Sequence, residues 1–157
     1  MTLTSRKATL WTLLILFLIW MAFFLYGLIN SLFCSYNLSL SYSKESVVNV
    51  TCRSGKVSAI HSLVSEGGKV IPYWRVSARQ ILIGNQLIYI IWDREKIQAL
   101  DTFDTQVDNY NYSMKNFKTL FYFIKRRGDE LVIFEKFPDE NIYIADVKGK
   151  LGFIEPD

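Results

Sequence analysis

Residues 8–33 carry no charged side chain, and this run, A-T-L-W-T-L-L-I-L-F-L-I-W-M-A-F-F-L-Y-G-L-I-N-S-L-F, limits what the chain can become. About 20 apolar residues in a helix cross the ~30 Å hydrocarbon core of a bilayer. In a chain of 157 residues, too little remains to cover such a run on every side. The run is expected to be a transmembrane helix with residues 10–29 as its core. Trp11 and Tyr26 stand near its ends, where amphipathic rings anchor at an interface, while Trp20 falls mid-span.

The flanks give the helix a direction. Arg6 and Lys7 directly precede it, and the next charge is Lys44. Basic residues are retained on the cytoplasmic side. Residues 1–7 are therefore expected as a cytoplasmic tail, with the carboxy terminus outside. A cleaved signal peptide has an apolar region of about 7–15 residues and ends at a small-x-small site. This run is longer, and residues 30–35 (N-S-L-F-C-S) offer no such pair. Phe33, directly before Cys34, is too bulky for a lipoprotein site. An uncleaved signal anchor over residues 8–33 is the favoured reading.

Without Arg6 and Lys7, 16 of the 18 basic side chains face 15 acidic ones, so the rest of the chain is near neutral. That removes the basic footprint of a nucleic-acid binder. Aromatics make up 15% of the chain and continue beyond the apolar run, which argues against a disordered tail. The remainder suffices for one compact domain.

Residues 34–46, rich in Ser and Tyr, read as a tether or a first edge strand. From residue 47 the signal is β. Residues 47–52 are β-branched and end at Arg53-Ser54-Gly55. Residues 56–64 place Val57, Ala59, His61 and Leu63 on one face. Residues 70–76 contain Pro72 and are expected as an edge strand or extended loop. Residues 80–92 (Q-I-L-I-G-N-Q-L-I-Y-I-I-W) form the clearest hairpin, turning at Gly84-Asn85 in type II′ geometry. Asp93-Arg94-Glu95 is expected to end it, with a short further strand at 96–100. Residues 101–116 read as the longest loop, with room for a helical turn. Residues 118–125 pair with 130–136 across R-R-G-D, and 141–147 with 150–154 across Lys148-Gly149. The whole is a single transmembrane helix followed by a mainly β extracytoplasmic domain over 47–157, an antiparallel meander closing as a small barrel or a sandwich.

Few residues suggest chemistry. His61 is the only imidazole, and no G-x-S-x-G accompanies Ser58 or Ser62, so a half-buried strand histidine is the reading. Asp93, Glu95, Asp101, Asp104 and Asp108 cluster in sequence but read as solvated turn acids. Asp104, Asp108 and Asn109 lack the spacing of a calcium loop. Arg127-Gly128-Asp129 spells an integrin-binding tripeptide and equally a hairpin turn. Cys34 and Cys52 both fall on the outer side, where they either form a disulfide or leave Cys34 as a free or acylated thiol at the lipid boundary. Sequons occur at Asn37, Asn49 and Asn111. Tyr110, Tyr112 and Phe117, if exposed on the long loop, would make a contact patch; Phe121 and Phe123 are expected in the core. No cofactor or metal is implied.

These features point to a membrane-anchored, non-enzymatic binding, inhibitory or accessory protein on the outer face of a cytoplasmic membrane, with a bacterial inner membrane favoured. Its expected partners are the membrane, crossed once, and another protein. Immunity, exclusion and envelope-complex roles all fit. The alternatives are a tethered enzyme using acids of the 93–116 region and a structural subunit whose helix is the working part.

Overall fold

The computed structural model describes residues 3–43, 46–65, 67–97, 106–136 and 140–156. Helix α1 spans Leu3–Leu32. Its segment Thr9–Leu32 is long and apolar enough to cross a membrane. Eight strands follow: β1 (Ser35–Ser43), β2 (Ser46–Arg53), β3 (Lys56–Val64), β4 (Val70–Ile83), β5 (Gln86–Lys96), β6 (Thr119–Arg127), β7 (Glu130–Glu135) and β8 (Asn141–Lys150). A second helix, α2 (Gln106–Ser113), lies between β5 and β6.

Each strand pairs antiparallel with its sequence neighbour, and β1 pairs with β8, so the sheet closes as an up-and-down barrel. Closure resolves the choice between barrel and sandwich, and it removes the exposed edges that an open sheet must protect. It also changes the role of residues 34–46. Their pattern S-Y-N-L-S-L buries Tyr36, Leu38 and Leu40 and exposes Ser35, Asn37 and Ser39. This strict alternation makes β1 a wall strand bonded on both sides, where a tether or an edge strand was the expectation.

Two bulges set the directions of key side chains. Between His61 and Ser62 the β3–β4 register slips, so His61 faces Trp74 and Ser62 faces Pro72. Proline is tolerated at such an irregularity, which is how Pro72 enters a strand that has no free edge. A second slip places Ser77 opposite Asp93 and Ala78 opposite Ile91. The strand therefore runs through Asp93-Arg94-Glu95 to Lys96, past the point where the hairpin was expected to end. An extra residue in a strand inverts the faces that follow it. Leu87 and Ile91 face the interior before the bulge; Arg94 lines it afterwards, while Asp93 and Glu95 are exposed.

The hairpin at Gly84-Asn85 forms as expected, with Ile83 opposite Gln86 and Gly84 at φ 54°. Of the expected strand over 96–100, Lys96 is the last residue of β5 and Ile97 follows it outside the strand; residues 98–105 lie outside the described residues.

The end of α1 is built into the barrel. Ile81 points away from the barrel interior yet is buried, because α1 packs on β4. Gly27 faces this contact, and a Cβ there would overlap Ile83. The Asn30 side chain donates to the carbonyls of Leu82 (3.1 Å) and Ile154 (3.3 Å) and accepts from the Ile154 amide (2.7 Å). Cys34 and Cys52 are joined by a disulfide that links the exit of α1 to the end of β2, with Cα atoms 5.8 Å apart.

Candidate functional site

The barrel interior is apolar over most of its length and polar at the α2 end. Leu38, Val50, Val57, Ala78, Leu87 and Ile133 line a cavity of about 100 Å3. An eight-stranded barrel is just wide enough for its own side chains or for one small ligand. At the α1 end the floor is a hydrogen-bonded set: the Tyr36 hydroxyl donates to Gln80 Oε1 (2.8 Å) and lies 2.8 Å from the Tyr89 hydroxyl. Gln80 Nε2 in turn donates to the Leu151 carbonyl. Burial pushes both phenols up, Tyr89 to about 12, so they remain neutral donors at ordinary pH.

At the other end α2 covers the mouth. Asn111 is fully buried; its amide donates to the Val107 carbonyl (2.8 Å) and lies 3.2 Å from His61 Nδ1. Arg94 Nη1 donates to the Asn111 carbonyl (3.3 Å) and to Oδ1 (3.2 Å). The Glu135 carboxylate accepts from the hydroxyls of Tyr110 (3.2 Å) and Tyr143 (3.1 Å). Burial, with the Arg94 charge second, lowers His61 to about 4. The imidazole is therefore neutral at physiological pH, and an amide donating to Nδ1 leaves the proton on Nε2. Burial also lowers Arg94, opposed by the nearby Tyr110 and Tyr122 phenols.

A second polar cluster holds α2 in place. Asp108 is buried and accepts from the Tyr73 hydroxyl, from Trp74 Nε1 (2.7 Å) and from Lys96 Nζ (3.2 Å). Lys96 also lies 4.5 Å from the Tyr73 ring centre. Burial alone would raise the Asp108 carboxyl, but the three donors outweigh it and hold the carboxyl below its usual value.

The candidates read from sequence are thus dispersed. Asp108 is a buried anchor, which corrects its reading as a solvated turn acid. Asp93 and Glu95 are exposed strand residues, with Glu95 bonded to Arg75 at 2.8 Å. Asp101 and Asp104 lie outside the described residues. Among the described residues, no group of three His, Cys, Asp or Glu could hold a metal ion. Of the three expected contact residues, Tyr110 lines the cavity, whereas Tyr112, packed edge-on against Trp74, and Phe117 are exposed, at 52% and 41%. Arg127-Gly128-Asp129 is the β6–β7 turn, with Gly128 at φ 63°. Asn37 and Asn49 face outward, whereas the Asn111 side chain is fully engaged.

The outer wall has two characters. Around β1 and β2 it exposes Ser35, Asn37, Ser39, Asn49 and Thr51. Around β5 to β8 it exposes Ile90, Trp92, Phe121, Phe123, Ile142 and Ile144. Phe121 and Phe123, expected in the core, are 60% and 50% exposed; Tyr122 between them faces the cavity instead. The register joins these residues into a continuous surface: Phe123 lies opposite Phe134, Phe134 opposite Ile142, Ile88 opposite Phe121 and Val132 opposite Ile144.

Sequence reasoning missed Arg94 and Glu135. Glu135 was legible from the period-two pattern L-V-I-F-E, which puts it on the face of Leu131 and Ile133. Arg94 was not, because its direction depends on the β5 bulge. The chain matches no known family model, and no curated protein is similar to it.

Proposed function

We propose that the protein is a non-enzymatic binding module, inhibitory or accessory in role, held on the outer face of a cytoplasmic membrane by α1 and docking another protein through the β5–β8 wall. The apolar surface over four adjacent strands carries this reading. Exposed apolar patches of this kind, rich in aromatic side chains, mark interaction sites on soluble domains. The polar β1–β2 wall gives the surface a direction. Arg6 and Lys7 before the apolar run support an inside amino terminus, with a bacterial inner membrane and a periplasmic barrel as the favoured setting. The bonds of Asn30 to Leu82 and Ile154 favour a retained anchor, since cleavage after α1 would remove part of the barrel's own packing.

The test is site-specific photo-crosslinking in native membranes. A photoreactive amino acid replacing Phe121 or Ile144 should give a reproducible protein adduct, and one replacing Ser39 or Thr51 should not. Adducts with lipid alone from the first pair, or the same adducts from both pairs, would overturn the reading.

A further inference from the structure

The geometry points to the barrel cavity as a binding site for a small amphipathic monocarboxylate, its carboxylate on Arg94 and its short apolar tail among the interior aliphatic side chains. This stands apart from the docking wall, which lies on the opposite side of the same strands.

Arg94 and Glu135 both line the cavity, but no carboxylate is bonded to the Arg94 guanidinium among the described residues. Among the described residues, Arg94 bonds only to Asn111, through a single nitrogen, Nη1. Both partner atoms are neutral oxygens. A guanidinium presents five donors in a planar fork suited to a carboxylate. Held in a partly desolvated site without a counter-charge, it is poorly compensated there, and an incoming anion relieves that cost. The other charged group on the cavity wall does not compete for the fork: Glu135 receives the hydroxyls of Tyr110 and Tyr143. His61, on the same wall, is neutral. The single positive head in the cavity is therefore that of Arg94.

The shape of the space selects the rest of the ligand. About 100 Å3 lies against Leu38, Val57 and Leu87, below the polar end. A dry engineered cavity of about 150 Å3 admits benzene, so this one suits a tail of a few carbon atoms, not a long acyl chain. Ala59 and Ala78 line it as well, and their small side chains help leave the space open. The bulge that turns Arg94 inward puts the one unneutralised cation at the mouth of the one apolar cavity found among the described residues of the barrel interior.

Calorimetric titration of the full chain in a non-ionic detergent tests this with three probes of one chain length: hexanoate, hexanol and hexylamine. Hexanoate should bind saturably and at least tenfold tighter than hexanol, the margin expected of a charge-assisted pair. Hexylamine should be weakest. Arg94→Gln should bring hexanoate to the affinity of hexanol, and Ala59→Leu should abolish binding of both by filling the space. The probe series on the unaltered chain needs no variant to fold. Absence of saturable hexanoate binding, equal affinity for hexanol, or a preference for hexylamine each overturns the assignment.

Discussion

Asn30 and Ile154 stand 124 residues apart in the chain, yet the Ile154 amide donates to Asn30 Oδ1 at 2.7 Å. The Asn30 backbone carbonyl accepts from Phe153 as well. A polar residue at the end of an apolar helix thus ties that helix to the last residues after β8. The helix and barrel are joined as one packed unit at this point, so the direction of α1 fixes the direction of the barrel.

Replacing Asn30 by leucine strands the Leu82 and Ile154 carbonyls and the Ile154 amide. The Leu82 carbonyl is buried, and leaving it unpaired costs about 1–3 kcal/mol, while the part-buried Ile154 groups lose the bond that holds them to the helix. Asn30→Leu should therefore speed hydrogen exchange of residues 151–155 by tenfold or more while the β2–β3 amides stay protected. Equal protection in both proteins would show that the bond contributes nothing to the junction.

Asp108 makes a comparable prediction for α2. Asp108→Asn keeps the size but loses the charge that attracts Lys96, at a cost of about 1–3 kcal/mol. Amides of α2 should exchange faster than those of the barrel. In the unaltered protein the depressed carboxyl contributes stability above its unfolded value near 4, and that contribution is lost as pH falls through the lower folded value. The further loosening below the unfolded carboxyl value should thus be confined to α2 and absent in Asp108→Asn.

His61 titrates in the opposite chemical sense but also weakens the fold in acid. Its folded value of about 4 lies below the unfolded value near 6.5, so the unfolded state binds more protons between them. Stability should fall as pH drops from about 6.5 to 4, by up to about 3 kcal/mol, and this component should level off below 4. His61→Gln, which keeps a hydrogen-bonding group near Asn111, should flatten the thermal midpoint over that range. An unchanged slope would place the titration elsewhere.

Much of this architecture is legible in the sequence and some is not, for identifiable reasons. The β4–β5 hairpin follows from Gly84-Asn85 between β-branched runs, because the turn chemistry is local. β1 was legible too: Tyr36, Leu38 and Leu40 recur at period two, but the serines between them mimic a linker. Closure of the barrel is a non-local pairing of β1 with β8, and no short window encodes it. Bulges likewise depend on two strands at once, so the inward turn of Arg94 and the place of Pro72 emerge only from the register. The outward direction of Phe121 and Phe123 reverses the usual rule that aromatics go inside, a departure that accords with the docking surface proposed above.

The closing seam gives a sharp contrast between glycines. At Gly149, φ is 105° and a Cβ would overlap the Ser35 backbone carbonyl across the β1–β8 pair. Gly149→Ala cannot be accommodated without opening that seam, and a large loss of folded protein should follow. Gly84 also has positive φ, but nothing lies near its missing side chain. Gly84→Ala should cost only about 1–2 kcal/mol, read from chemical denaturation. Similar losses in the two variants would contradict the closed barrel.

The proposed arrangement has α1 holding the barrel outside the membrane with the β5–β8 wall open to a partner. It is tested most directly by placing a cysteine at Phe121, which is 60% exposed, and adding a membrane-impermeant maleimide to intact cells or spheroplasts. Labelling before lysis is the predicted result. Labelling that appears only after the membrane is broken would place the barrel inside and contradict the account.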